Sequence, residues 1–315
     1  MNMSKHYAIG IDLGGTNLRV ALVAEDGEIL KKIKKPSNEQ VMSSIIESIG
    51  EIGHDGIRGI GLGTAGLIDR DSKRVFFSPN RRAIEGIDIA AELHGKFGVP
   101  VFLENDANAA ALGEKISGAG KGFGTFVLLT LGTGIGGGII YKGKLLEESA
   151  EIGHMSIQAD AEKCPCGNIG CLDNYASARA MISKAVSMLE KGTESLLKEC
   201  CKGSIYKITS EDIYRTALEG DTLSREVLKE AGKYLGVGLA NIINILSPEA
   251  IILSGGLIGA WNIYVQEAIK EASRRAFKDL FDSVKIIPSS LGDNAGIIGA
   301  ACLVFKELSR DFPLP

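Results

Sequence analysis

The residues with the most explicit chemistry lie between positions 154 and 171. His154 is followed by Cys164, Cys166 and Cys171. One imidazole and three thiolates make a complete tetrahedral set, the preferred shell of structural Zn²⁺. Gly167 and Gly170 let the chain fold tightly around such an ion. Four protein ligands leave no open coordination position, which argues against a metal-activated water and so against a zinc hydrolase. Cys200, Cys201 and Cys302 are scattered and read as ordinary thiols.

Glycine turns offer a second chemistry, because backbone N–H groups can approach phosphates closely where side chains are missing. Asp12-Leu13-Gly14-Gly15-Thr16-Asn17 and Gly132-Thr133-Gly134 each follow an apolar run ending in Leu-Gly. No G-x-x-x-x-G-K-[ST] is present, so this is not a P-loop protein. Gly132 to Gly137 matches G-x-G-x-x-G, but the following segment reads as strand, whereas a dinucleotide fingerprint needs a helix there. Either hairpin alone is compatible with a plain tight turn; two at duplicated positions point to paired phosphate sites. Ser254-Gly255-Gly256-Leu257 is either a third such turn or an ordinary strand-to-helix connection. Asn105-Asp106, before an alanine-rich helical segment, reads as an N-cap and also offers a carboxylate whose charge a helix N-terminus favours.

These residues need a scaffold. A chain of 315 residues suggests two domains, and 45% hydrophobic with 23% charged residues suits a sizeable core. Net charge is −4, which provides no electrostatic footprint for nucleic acid or a membrane surface. The longest apolar stretch, 125–141, contains five glycines and is too broken to be a membrane span. Six cysteines without a secretory signal point to a reducing cytoplasm. The 40 glycines exceed the usual share while proline is only 8, which excludes collagen and Pro/Gly-rich disorder.

Residues 7–24, a turn at Asp26-Gly27 and residues 28–35 read as strand, turn, strand and strand, and residues 126–146 repeat the plan. Helices are expected near 39–52, 88–97, 106–116, 174–190, 194–201, 210–219, 223–246 and 261–279, with strands at 57–62, 250–254 and 284–288. The expectation is a duplicated α/β fold with a cleft between its halves. Residues 1–105 would form a small domain, completed by a C-terminal helix at 295–315, and 106–294 a large one carrying the knuckle.

The paired hairpins resemble those of the actin/hexokinase/Hsp70-type (ribonuclease H-like) fold. Under that resemblance Asp12 organises Mg²⁺ through water; Gly14, Gly15, Thr16, Asn17, Gly132, Thr133 and Gly134 meet ATP phosphates; Gly255 and Gly256 lie beside the nucleoside. Together with His-x₉-Cys-x-Cys-Gly-x-x-Gly-Cys, the hairpins are similar to the ROK family of sugar kinases and sugar-responsive repressors, from Ile9 to about Ala301. Glu104-Asn105-Asp106-Ala107-Asn108 and Glu151-Ile152-Gly153-His154 are most similar to the glucokinases of that family. The resemblance implies Asp106 as the base for the attacking hydroxyl, and Gly63, Asn80, Asn105, Glu151, His154 and Asp173 around the sugar. His154 would bind zinc with one nitrogen and face the sugar with the other. Under the same resemblance the six glycines from 53 to 66 would line a sugar side, and the ten from 118 to 143 a nucleotide side.

Two departures bear on the substrate. Asp173 stands where the family usually has Glu, and Arg81-Arg82 follows Ser78-Pro79-Asn80 where small apolar residues are usual. The basic pair reads either as a solvated turn or as a preference for another hexose. The leading expectation is ATP-dependent phosphorylation of a hexose 6-hydroxyl, glucose first, with mannose, fructose, allose, N-acetylmannosamine or N-acetylglucosamine as alternatives. A sugar-responsive repressor would carry an added helix-turn-helix before the first hairpin, whereas Asp12 is reached after eleven residues. An Hsp70-like or actin-like assembly protein would lack the Cys₃His set. Small-molecule sugar and ATP are the expected partners, with a homodimer or homotetramer.

Overall fold

The computed structural model describes residues 5–309, except 16, 38, 70–73, 78–86, 148–149, 162 and 201–202. Thr16, Asn80 and the Ser78-Pro79 and Arg81-Arg82 pairs lie outside the described residues.

The first sheet is built from β1 (Tyr7–Leu13), β2 (Asn17–Ala24), β3 (Ile29–Pro36), β4 (Ile60–Thr64) and β7 (Val101–Asn105), in the order β3-β2-β1-β4-β7. β1, β2 and β3 form an antiparallel meander, and β4 and β7 add in parallel. Between them, β5 (Leu67–Asp69) and β6 (Arg74–Phe77) pair separately. Lys31, Lys32, Lys34 and Lys35 sit on edge strand β3, where charge discourages further pairing.

The period-two pattern of β1 decides both layers around this sheet. Ile9, Ile11 and Leu13 join Ile45 and Ile49 of α1 (Val41–Ile52) and Ile89 and Leu93 of α2 (Ile89–Phe97) in one buried cluster. Ala8 belongs to another cluster, with Ile297, Ala301 and Val304 of α11 (Ala295–Leu308). The face meeting α11 is stripped of side chains: a Cβ on Gly61 would lie 1.7 Å from the Ala300 carbonyl oxygen, and one on Gly10 2.1 Å from that of Ile297. This corrects the expectation that the glycines from 53 to 66 line a sugar side. Gly59 and Gly61 admit neighbouring backbone, Gly53 and Gly56 take the positive φ of turns, and only Gly63 and Gly66 reach the Asn105-Asp106 corner. The stretch from 118 to 143 is similar, since Gly118 and Gly120 pack on Glu114 and Phe126, and Gly138 on the Ala107 carbonyl.

The second sheet comprises β8 (Phe126–Leu131), β9 (Ile135–Tyr141), β10 (Lys144–Leu145), β11 (Ala250–Ser254) and β12 (Lys285–Pro288), in the order β10-β9-β8-β11-β12. That order repeats the first sheet, so the duplicated α/β plan is real. α3 (Asp106–Ser117) precedes β8, and the later helices are α4 (Asp173–Ala176), α5 (Ala178–Glu190), α6 (Leu197–Cys200), α7 (Ser210–Leu218), α8 (Thr222–Leu246), α9 (Gln266–Arg275) and α10 (Lys278–Ser283). The expected helix 174–190 breaks at Ser177, whose hydroxyl caps α5 by accepting from the Ala180 N–H. The expected helix 261–279 starts with a π-turn at Trp261–Val265 and ends at Ala276. β7 was not anticipated, because five residues ending in Glu-Asn are too few to show a period.

The chain divides into two compact units: Met1–Leu128, Gly138–Ala150 and Ser289–Pro315 form unit 1, and Leu129–Gly137 with Glu151–Pro288 form unit 2. α3 belongs to unit 1, past the expected boundary at 106. The reason is its tight seam with α11, where a Cβ on Gly299 would lie 1.6 Å from the Ala109 carbonyl oxygen. The buried Glu114 carboxylate ties the same seam to the segment before α11, accepting from the Ser289 hydroxyl and the Leu291 N–H. No helix among the described residues is long and apolar enough to cross a membrane.

Candidate active site

In unit 1 the expected residues converge at the carboxyl ends of parallel strands, where ligands of open α/β sheets bind. The register sets Asp12 of β1 beside Gly63 of β4, and Gly63 beside Glu104 of β7; Leu13, Thr64 and Asn105 form the next row. Asn105 caps α3, its Oδ1 accepting from the Ala107 and Asn108 N–H groups, while its Nδ2 donates to the Gly66 carbonyl. Asp106 is the first residue of α3, and its Oδ1 accepts from Ala107 N–H at 2.9 Å. Gly63 lies so close that its Cβ would sit 3.6 Å from the Asp106 Cα. Glu104 is buried and braces this corner, accepting from the Asn105 N–H and the Asn108 Nδ2. Thr64 Oγ1 and Asn108 Oδ1 are buried without a partner among the described residues, the condition that a water or polar ligand relieves.

Asp12 is buried, and burial raises its pKa against the opposing pull of Arg19. Arg19 Nη1 donates to Asp12 Oδ2 at 2.8 Å, and its Nη2 to Asp293 at 3.2 Å. A Cβ on Gly296, in the first turn of α11, would lie 3.2 Å from the Asp12 carboxyl carbon. The adjoining turn closes where Gly14 N–H donates to the Asn17 carbonyl at 3.0 Å.

Unit 2 holds the second turn. Gly132 N–H donates to the Gly134 carbonyl at 3.0 Å, leaving Thr133 and Gly134 exposed. Gly255, at φ 95°, passes so close that its Cβ would lie 2.3 Å from the Leu131 carbonyl oxygen, and Gly256 opens a 3₁₀ turn. Asp173 is buried under the same turn. Its Oδ1 accepts from Ile135 N–H at 2.7 Å and its Oδ2 from the Arg179 guanidinium. A carboxylate expected among sugar-facing groups thus holds the hairpin, with both oxygens engaged.

The knuckle is assembled. The ligand atoms of His154, Cys164, Cys166 and Cys171 all lie within 4.8 Å of one another, a group able to hold a metal ion. The Cys166 and Cys171 sulfurs are 3.7 Å apart, and the Cys164 sulfur is 3.7 Å from His154 Nδ1. Tetrahedral zinc with bonds near 2.3 Å would set sulfurs about 3.8 Å apart, so the donor set fits. Burial pushes the Cys171 thiol up to about 12, a cost that a bound cation removes by stabilising the thiolate. His154 Nε2 points the other way, 4.0 Å from the Glu151 carboxylate.

The sequence matches the ROK family over residues 8–307. The glucokinase of Thermotoga maritima is 36% identical over 97% of this chain and 99% of that protein. The xylose repressor of Bacillus subtilis is 33% identical over 97% of this chain and 79% of the repressor. A solved ROK glucokinase from Streptomyces griseus, in complex with glucose and AMPPNP, superposes with TM-score 0.83 at 32% identity, covering 95% of this chain and 99% of that one. The chain belongs to the ROK family, and its two-sheet α/β architecture is that of the ROK sugar kinases.

Sequence reasoning did not single out Arg19, Arg179 or Gly296, and it named Glu104 only as part of the Glu104–Asn108 motif, with no role of its own. Only Gly296 carried a local sign, since a glycine opening an apolar helix three positions before another, Gly299, needs a packing reason. The two arginines are ordinary until their carboxylate partners are placed.

Proposed function

We propose that this chain is an ATP-dependent hexose kinase that phosphorylates the 6-hydroxyl of glucose. The observation that carries the reading is the row Asp12, Gly63 and the Asn105-Asp106 corner at the ends of three parallel strands, in a ROK-family chain 36% identical to a glucokinase. Asp106, at the start of α3, takes the proton of the attacking hydroxyl as the bond to the phosphoryl group forms. Asn105, Glu151 and His154 hold sugar hydroxyls, with Gly63 keeping the floor free of side chains; Asn80 belongs to the same reading. Asp173, one methylene shorter than the Glu usual in the family, serves the hairpin through both oxygens and borders the sugar from that position. Mg²⁺ would neutralise phosphate charge when bound, and Asp12 would be the carboxylate that holds it through water. Gly14, Gly15, Thr16, Asn17, Gly132, Thr133 and Gly134 cradle the phosphates, with Gly255 and Gly256 beside the nucleoside.

His154, Cys164, Cys166 and Cys171 would hold one Zn²⁺ whose part is to fix the His154 ring. The thiols stay reduced in the cytoplasm, where we place the enzyme, and family membership supports a homodimer or homotetramer. The repressor relatives favour a second reading, a sugar-responsive regulator. A coupled kinase assay over glucose, mannose, fructose, allose and N-acetylated hexosamines separates the two. Glucose turnover is expected, and Asp106→Ala should lower kcat at least about 10²-fold while glucose still binds. Glucose binding with no phosphate transfer to any of these sugars would sink the kinase reading.

A further inference from the structure

Unit 2 contains a pocket of about 460 Å³ lined by none of the residues placed at the sugar, the nucleotide or the metal. Its walls carry Lys163, Arg179 and Lys184, one carboxylate, Glu230, and the rings of Tyr175 and Tyr234. The volume falls in the range of small-molecule sites. Glu230 pairs with Lys184, its two oxygens 3.1 and 3.2 Å from that ammonium, and Arg179 pairs with Asp173 behind the wall, so three cations meet two carboxylates and the pocket keeps a net positive charge. The tyrosine rings lie 4.5 Å apart between centroids, tilted by 38°, and line the cavity together with the cations.

We propose that this pocket binds a hexose phosphate as a regulatory ligand. The cations suit a phosphate dianion, for which a guanidinium offers paired donors. The tyrosine faces suit the C–H face of a pyranose, and Glu230 can accept from hydroxyls as Lys184 turns to the phosphate. Arg179 links the pocket to the hairpin. It lines the cavity while its guanidinium holds Asp173, which in turn accepts from Ile135 N–H just after the Gly132–Gly134 turn. A phosphate drawing on Arg179 loosens Asp173, so pocket occupancy changes the affinity for glucose and ATP, and each of those ligands changes pocket affinity by the same factor. The coupling, though not the pocket, rests on the kinase reading of that turn.

The test is calorimetric titration of glucose 6-phosphate into the full chain already saturated with glucose and a non-hydrolysable ATP analogue, so that the active site is filled. One further binding event per chain is expected, weakened at least about tenfold by Lys184→Glu. Lys184 is half exposed and outside the catalytic machinery, so that variant should keep wild-type kcat and KM without the effector. Glucose affinity should shift with glucose 6-phosphate in the wild type and not in Lys184→Glu; competition at the active site would survive that change. Arg179→Lys should bind the probe yet lose most of the shift. Absence of the second event, or one indifferent to Lys184→Glu, overturns the proposal. Equal affinity for inorganic phosphate overturns its hexose part. Failure of the kinase reading would show separately, as absent turnover in the unliganded wild type.

Discussion

The two glycine hairpins occupy corresponding places in two sheets of the same strand order, and each has an Asp–Arg pair beneath it. They come by the pair differently. In the first, Asp12 and Arg19 are cross-strand neighbours in the β1–β2 register, so the pair follows from the hairpin itself. In the second, the carboxylate comes from α4, 38 residues beyond the Ile135 N–H it accepts from, and its arginine from α5. The second hairpin also leans on the knuckle. A Cβ on Gly137 would lie 2.5 Å from Ile152, and one on Gly153 2.0 Å from the Ile135 carbonyl oxygen; both residues adjoin His154. The first hairpin thus draws its Asp–Arg pair from its own two strands, with Asp293 and Gly296 packed on it from afar, and the second draws both members of the pair from helices beyond it.

The contrast can be broken first at the metal. Chelation under reducing conditions should remove about one zinc per chain and destabilise unit 2 by several kcal/mol, given the ~10–16 kcal/mol of structural sites, while hydrogen exchange in β1 and β2 changes least. Equal loosening of both hairpins would count against the division. Next, Asp12→Asn should lower kcat/KM for MgATP at least about 10²-fold with stability unchanged or slightly raised, because burial works against the Asp12 charge. A large loss of stability would show the carboxylate to be structural. Asp173→Asn should behave in the opposite sense in denaturant titrations, costing about 1–3 kcal/mol as the Ile135 acceptor and the Arg179 partner weaken.

The smallest expected effect is in pH. The folded pKa of Asp12 is raised, so the folded state holds a proton that the unfolded state has released. Wild-type stability relative to Asp12→Asn should therefore fall as pH rises from the ordinary carboxylate range through the raised value, and stay level above it. Comparison of urea midpoints across that window checks the sign; a wild-type midpoint that falls relative to that of Asp12→Asn as the pH is lowered would contradict it.

Much of the site was legible because it is written in short segments. The four knuckle ligands span eighteen residues, and the Asn105-Asp106 pair opens the helix it was expected to open. The glycine excess misled in part, because a glycine that admits a phosphate and one that admits a helix look alike in sequence. Gly61 and Gly299 answer to the carbonyls of Ala300 and Ala109, and nothing near them in the chain says so.

By itself the sequence determined the ligand types, the two strand–turn–strand repeats and the helix cap, since each depends on spacing within one turn or one hairpin. Only the tertiary structure decided which strands lie side by side, so that Asp12, Gly63 and the Asn105-Asp106 corner meet at the carboxyl ends of three parallel strands, and which buried carboxylate serves which hairpin. Those choices are made by helices packing over dozens of residues. There the selecting force is the burial of backbone against backbone, and no local pattern records its partner.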